Sequence, residues 1–268
     1  MDIATGLGII IAILGLALGF TLDGGSITAL FQLTAALIVF GGTIGATMTS
    51  TSMKTFLGVG KYLKVAFFGK TEDPLTTIDQ LVQLATVARR EGILALEEKL
   101  DDFSDEFMRN GIRLVVDGVD PELVKNMMET ELSYVSERHE KAAKIFESAG
   151  GFAPTMGIIG TVMGLIHVLG SLQDVTKLGP QIATAFTATL YGVASANIIW
   201  LPIGSKLKQR NAEEVLLREI MMEGVLSIQA GENPNILGQK LRAFLAPSER
   251  DGEAKAKAGG VSAEAAEG

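Results

Sequence analysis

Four windows of roughly 20 residues carry no formal charge, and they constrain the fold more than any other feature of the chain. They cover residues 3–22, an interval within 24–53, residues 149–173 and residues 178–205. A helix needs about 20 apolar residues to cross the ~30 Å hydrocarbon layer of a bilayer. Each window therefore predicts a transmembrane helix. Asp2 precedes the first window and no basic segment does, so the expectation is a retained span rather than a signal peptide. The mean hydropathy of +0.32 is high for a soluble protein and modest for a pure membrane bundle, so membrane spans with a sizeable aqueous part are expected. No stretch alternates with period two, so the predicted fold is all-α.

The basic residues set the expected orientation. Thirteen Lys and Arg lie between the second and third windows, nine follow the fourth, and only Lys177 falls between the third and fourth. Four spans place the insert and the C-terminal segment on one side, which the positive-inside rule makes cytoplasmic. Lys54, Lys61, Lys64, Lys144, Lys206, Lys208 and Arg210 lie close enough to the spans to count. The expected topology is N-in, C-in, with a large cytoplasmic helical insert between spans two and three.

Composition excludes several classes. With no cysteine there is no disulfide framework and no Cys-ligated metal. Two histidines, His139 and His167, cannot build a His-rich metal site. A net charge of −8 with no isolated basic stripe argues against nucleic acid as a partner. No nucleophile–base or metal constellation is visible, so neither an enzyme nor a bound cofactor is expected.

Five segments follow. Residues 1–50 form a transmembrane hairpin turned at Asp23-Gly24-Gly25-Ser26. Residues 51–148 form the helical insert, with start signals at Asp73-Pro74 and Asp120-Pro121. Residues 149–205 form the second pair of spans, joined by a loop expected over 171–180 because of its Gly-Pro pair. Residues 206–246 form a cytoplasmic helix. Residues 247–268 lose periodicity and read as a disordered tail.

The second pair of spans carries the informative chemistry. Ala153, Gly157, Gly160 and Gly164 recur at helical spacing on span three, and Ala185, Thr189, Gly192 and Ala196 do so on span four. Small residues let helices approach closely in lipid, so two such faces predict tight packing. Thr161 and Thr189 both fall at about 12–14 Å depth, near the midplane. Pro154 and Pro202 lie near the cytoplasmic ends and each frees a backbone carbonyl. A Thr bonded to its own helix and a purely structural glycine face remain the alternative reading. No Asp, Glu, Lys or Arg lies within 152–172 or 182–202. If ions pass here, another polypeptide must supply the ionisable group. His167 by itself reads as a hydrogen-bonded residue near the outer boundary.

In the insert, Arg89-Arg90-Glu91 and Glu97-Glu98-Lys99 stand out. Gly92 is expected to break or kink this helical run, which residues 93–100 continue, and Arg90 and Glu97 would share a helix face only if it does not. A solvated charged face is the competing reading.

Three stretches resemble a known family: Ala88-Arg89-Arg90-Glu91-Gly92 through Glu97, Ala153-Pro154-Thr155-Met156-Gly157 through Leu165, and Thr189-Leu190-Tyr191-Gly192 with Leu201-Pro202. They look like the A subunit of the bacterial flagellar stator, the MotA/PomA/MotP group, over about residues 1–245. The resemblance implies a ring of A subunits, thought to be a pentamer, around a dimer of a B subunit (MotB/PomB/MotS type) in the bacterial inner membrane. Ion flow then drives torque on the rotor. Matched residue by residue, Arg89 and Glu97 correspond to the pair that engages the rotor protein FliG, and Arg90 and Glu98 to accessory charges. Pro154 and Pro202 correspond to the prolines that couple ion passage to movement. Thr161, Thr189 and Tyr191 correspond to positions along the ion path beside the B-subunit Asp. The coupling ion is Na⁺ or H⁺. Sodium-type members tend to carry Thr at the position of Thr161, which favours Na⁺, with a transient ion near Thr161 and Thr189. Ala188 stands where some sodium-type members have a second Thr, which points the other way. Two further readings compete: an ExbB/TolQ-type ion-driven energiser of envelope transport, and a non-conducting membrane scaffold. The N-terminal hairpin and the Arg89/Glu97 motif favour the stator over the energiser.

Overall fold

The computed structural model describes residues 3–69, 72–102, 105–170, 172–173 and 175–250. All described regular structure is helical, and it divides into two compact units. Four of the described helical segments are long and apolar enough to cross a membrane: Ala4–Leu22, Ile27–Ser50, Pro121–Leu169 and Leu178–Gln229.

The first unit takes in residues up to 70 and 137–211. Helix α1 is Ile3–Leu22, and Gly24, with φ 85°, makes the turn that follows. A single 3₁₀ turn, Ile27–Leu30, leads into α2, which is continuous through Leu33–Ala36, a π-turn at Leu37–Gly41, and Gly42–Ser50. A one-turn helix, Met53–Phe56, is capped by Ser52, whose Oγ accepts from the Thr55 N–H at 3.3 Å. Helix α3 is Val59–Phe68. Its Ala66 is buried with Phe146, Ile203 and Leu207, and Tyr62 and Trp200 pack around them.

The second unit comprises residues 71–136 and those from 212 onward. Helix α4 (Pro74–Glu91) starts where Asp73-Pro74 predicts it. The Asp73 carboxylate accepts from the N–H groups of Leu75 and Thr76, while Pro74 occupies a position whose N–H would be unbonded anyway. A 3₁₀ run, Ile93–Asp102, and helix α5 (Glu106–Val116) follow. Helix α6, Pro121–Leu169, opens on Asp120, whose Oδ1 accepts from the Glu122 N–H at 2.9 Å. Helix α7 runs through Val175–Ser195, a π-turn at Ala196–Trp200, and Leu201–Gln229. Helix α8, Pro234–Arg242, repeats the start device with Asn233 as its cap. The core here is Ile78, Leu81, Leu96, Met108, Ile112, Ile220, Met221, Leu237 and Leu241, all at most 2% exposed. Residues of the insert and of the segment after the fourth span thus share one core. Lys240 reaches from α8 to Glu223 at 2.5 Å and Glu232 at 3.2 Å, and to Ser227 Oγ at 3.1 Å. The hydrogen bond to Glu223 is the main cause that holds its amine above the ordinary lysine range.

Two details differ from the sequence reading and a third bears it out. The helix of span four begins at Val175, so Pro180 lies inside it and the expected loop over 171–180 is shorter; proline costs that helix one hydrogen bond rather than ending it. Gly92, at φ 91°, breaks α4 as expected, so Arg90 and Glu97 lie on different elements. Pro247–Arg250 forms a helical turn inside the segment read as tail, with Arg250 Nε donating to Leu245 O at 2.7 Å. The remainder of that segment, 251–268, lies outside the described residues.

Candidate ion-path site

The glycine faces of spans three and four meet each other. A Cβ built on Gly157 would lie 2.9 Å from Ala188 O and 3.1 Å from Thr189 Cα. One on Gly160 would lie 2.7 Å from Ala188 Cβ, and one on Gly164 2.6 Å from Ala185 Cβ. One on Gly192 would collide with Ala153 O and come within 3.1 Å of Gly157 Cα. All four predicted packing glycines sit where α6 and α7 approach closely: Gly157, Gly164 and Gly192 meet backbone atoms of the other helix and Gly160 meets the Ala188 Cβ, an approach that only the missing side chain permits.

That approach places the two threonines together. Thr161 Oγ1 lies 2.9 Å from Ala185 O and 3.1 Å from Gly157 O, and it shares a hydrogen bond with Thr189 Oγ1. Two hydroxyls and two carbonyls therefore converge between two helices, with no charged residue in either span to neutralise a cation. The Gly157 carbonyl, four residues before Thr161 on the same helix, is the partner expected of a Thr bonded to its own helix, whereas the Ala185 carbonyl is revealed only by the cross-helix register.

The prolines and the tyrosine go elsewhere. Pro154 lies inside α6, and because it has no N–H the carbonyl four residues earlier, on Gly150, lacks its usual partner. A Cβ on Gly150 would meet Leu201 Cδ2 at 2.5 Å, so α7 packs against this point. Pro202 follows the π-turn in which the Leu201 N–H reaches back five residues to Ala196 O. Tyr191 does not join the threonines. Its hydroxyl donates to Leu30 O and accepts from the Gln32 N–H at 3.1 Å, and its ring lies 6.0 Å from that of Phe40. It fastens the start of α2 to α7. His167 lines a groove of about 430 Å³ with Gln32, Thr34, Gln181 and Thr184, and Gly160, Gly164, Ala185 and Ala188 of the seam line it too.

In the second unit, Arg89 and Arg90 end α4 and Glu97 and Glu98 lie on the 3₁₀ run; all four side chains are exposed. Among the described residues none of the four forms an ion pair.

Comparison with known proteins gives this arrangement its class. Residues 99–220 match the MotA/TolQ/ExbB proton channel family, and residues 6–92 match the N-terminal region of motility protein A. Motility protein A of Bacillus subtilis is 39% identical over 93% of both chains. Chemotaxis protein PomA of Vibrio alginolyticus is 37% identical over 93% of this chain and 98% of its own. The structure of the flagellar MotAB stator complex from Bacillus subtilis superposes with a TM-score of 0.86 at 38% identity, over 91% of this chain and 96% of that one. The chain belongs to the motility protein A group, the stator A subunits of the MotA/TolQ/ExbB family. It is a multi-pass membrane protein and a flagellar stator subunit, not an enzyme.

Proposed function

We propose that this subunit forms, with a B-type subunit, a sodium-conducting complex of the bacterial inner membrane that turns ion flow into torque on the rotor. The observation that carries the reading is the convergence of Thr161 Oγ1, Thr189 Oγ1, Ala185 O and Gly157 O in spans that hold no carboxylate. Hard cations such as Na⁺ take oxygen ligands, and neutral oxygens suit transient contact rather than tight binding. The charge that accompanies the ion comes from a transmembrane Asp of the B subunit. Ile158, Val162 and Ile166 of α6 and Phe186 of α7 stand exposed in the single chain, which leaves apolar surface for partner helices and for neighbouring copies in a pentameric ring. The membrane orientation is N-in and C-in, as the basic residues require. Arg89, Arg90, Glu97 and Glu98 face water and engage the rotor protein FliG electrostatically.

The test of the ion is stator torque across sodium concentrations at fixed proton-motive force. Torque that follows sodium supports the reading, and unchanged torque in sodium-free medium overturns it in favour of H⁺. Co-purification with a B subunit, followed by counting chains, tests the ring. Arg89→Glu should impair torque and be partly rescued by charge reversal on the rotor face. Intact motility in both Arg89→Glu and Glu97→Lys would leave these residues as a solvated surface.

A further inference from the structure

The segment that leaves span two carries charge of one sign. Between Thr51 and Gly69 lie Lys54, Lys61 and Lys64, and no Asp or Glu. All three lysines are exposed, and among the described residues none of them has an ion pair or a side-chain hydrogen bond. Helix α3 gives this segment two faces. On the inward face Val59, Leu63 and Ala66 share a cluster with Phe146 of α6 and with Ile203 and Leu207 of α7. On the outward face Leu57, Lys61, Lys64 and Phe68 recur at spacings of 4, 3 and 4, which is one side of a helix. Leu57 is 77% exposed and Phe68 57%, so large apolar groups and ammonium groups stand together on a face that no described residue covers. The inward contacts fix its depth. Phe146 lies three residues before the charge-free window 149–173, and Ile203 two residues before the end of the window 178–205. Helix α7 rises about 6 Å from Ile203 to Leu207, close to the thickness of one headgroup layer.

We infer that this face lies against anionic phospholipid at the membrane boundary. Leu57 and Phe68 enter the acyl boundary, and Lys54, Lys61 and Lys64 extend their ammonium groups to lipid phosphates. Charge complementarity selects this occupant. A partner helix would need to bring carboxylates to the membrane boundary to meet the three lysines, and a second copy of the same face would set like charges together. An anionic bilayer offers phosphate and hydrocarbon at one level. Which leaflet this is rests on the orientation proposed above; the lipid chemistry does not.

The chain has no native cysteine, so Leu57→Cys can carry a single bimane fluorophore on the outward face. The stator complex with this label is reconstituted in nanodiscs of phosphatidylglycerol and phosphatidylcholine in equal parts, with one or the other brominated in its acyl chains. Quenching by each brominated lipid gives their relative association with the site. Phosphatidylglycerol should associate about fivefold more strongly, the effect of one lysine at an anionic surface. The triple variant Lys54→Gln/Lys61→Gln/Lys64→Gln should bring the ratio close to one. Raised salt should weaken the preference of the unsubstituted complex in the same direction, a check that needs no variant to fold. Equal quenching by both lipids, insensitive to salt and to the triple variant, overturns the inference and leaves ordinary annular lipid. Quenching by aqueous iodide and by neither lipid overturns it in favour of a water-exposed face. Protection from iodide and from both lipids overturns it in favour of a protein contact. Nanodiscs present the same lipids on both faces, so none of these results depends on orientation.

Discussion

Substituting Gly157 by Ala adds one methyl group at the closest approach of α6 and α7. The new carbon would lie 2.9 Å from Ala188 O, 3.1 Å from Thr189 Cα and 3.3 Å from Gly192 Cα. These are backbone atoms, so no side chain can swing away. Unstrained contacts of this kind begin near ~3.5 Å, so the helices must part by about 0.5 Å. Overpacking of this sort costs about 1–3 kcal/mol. Ala also gains up to ~1 kcal/mol of helix propensity over Gly, which would blur the result of a single variant. Gly151 supplies the control: it lies on the same helix, is exposed, and has nothing within 4 Å of a built Cβ. Gly151→Ala collects the propensity gain without the clash. The difference between the two variants therefore isolates the steric cost, and it should appear as a melting temperature roughly 3–10 °C lower for Gly157→Ala. Thermal unfolding of the detergent-purified protein followed by circular dichroism reads it. Equal melting temperatures for the two variants would refute the close-packed seam.

Three further outcomes follow from specific contacts. Thr161→Val keeps the shape but removes the hydroxyl that bonds Ala185 O and Thr189, so it should destabilise by about 0.6–2 kcal/mol and abolish motility, while Thr161→Ser retains both in a swarm assay. Tyr191→Phe should cost about 1 kcal/mol in unfolding through loss of its bonds to Leu30 and Gln32, yet leave ion preference in torque measurements unchanged, because the ring lies away from the threonines. Lys240, held above its usual 10.5 chiefly by its hydrogen bond to Glu223, contributes stability fully below pH 10.5 and loses it as pH rises through the folded value. With 40% of its side chain exposed that contribution is only about 0.2–1 kcal/mol, and Lys240→Gln should remove it at pH 8 while flattening the alkaline fall in a denaturation series.

The parts legible in the sequence are those carried by periodicity or by a local device. Charge-free windows located all four candidate spans, because hydrocarbon excludes ions whatever the neighbours are. Asp73-Pro74 and Asp120-Pro121 announced helix starts through contacts that reach only two or three residues. The recurrence of Gly157, Gly160 and Gly164 signalled a close approach before its partner was known. What could not be read depended on register between distant segments. Tyr191 is bonded to residues about 160 positions away, so its motif neighbours, Thr189 and Gly192, gave no hint that it faces α2. The Lys240 cluster joins α7 to α8 across a turn and has no sequence signature beyond scattered charge. Gly92 was legible as a helix break, but its positive φ, which disfavours other residues, is visible only in three dimensions. The π-turns leave no compositional trace at all.

The π-turn at Ala196–Trp200 also acts as a phase corrector for α7. Gly192 above it packs on Ala153 and Gly157, and Gly204 below it packs on Ala143 and Glu147, so both address α6. In an uninterrupted α-helix two positions 12 residues apart point about 120° away from each other. A turn that holds one surplus residue takes out about 100° of that angle and returns Gly204 to the face of Gly192. The surplus residue is therefore what lets one helix present a continuous seam on both sides of Pro202. Removing one residue within 196–200 should regularise the helix with its seam intact. Removing one within 186–190 should turn the part of the seam before the deletion away from α6.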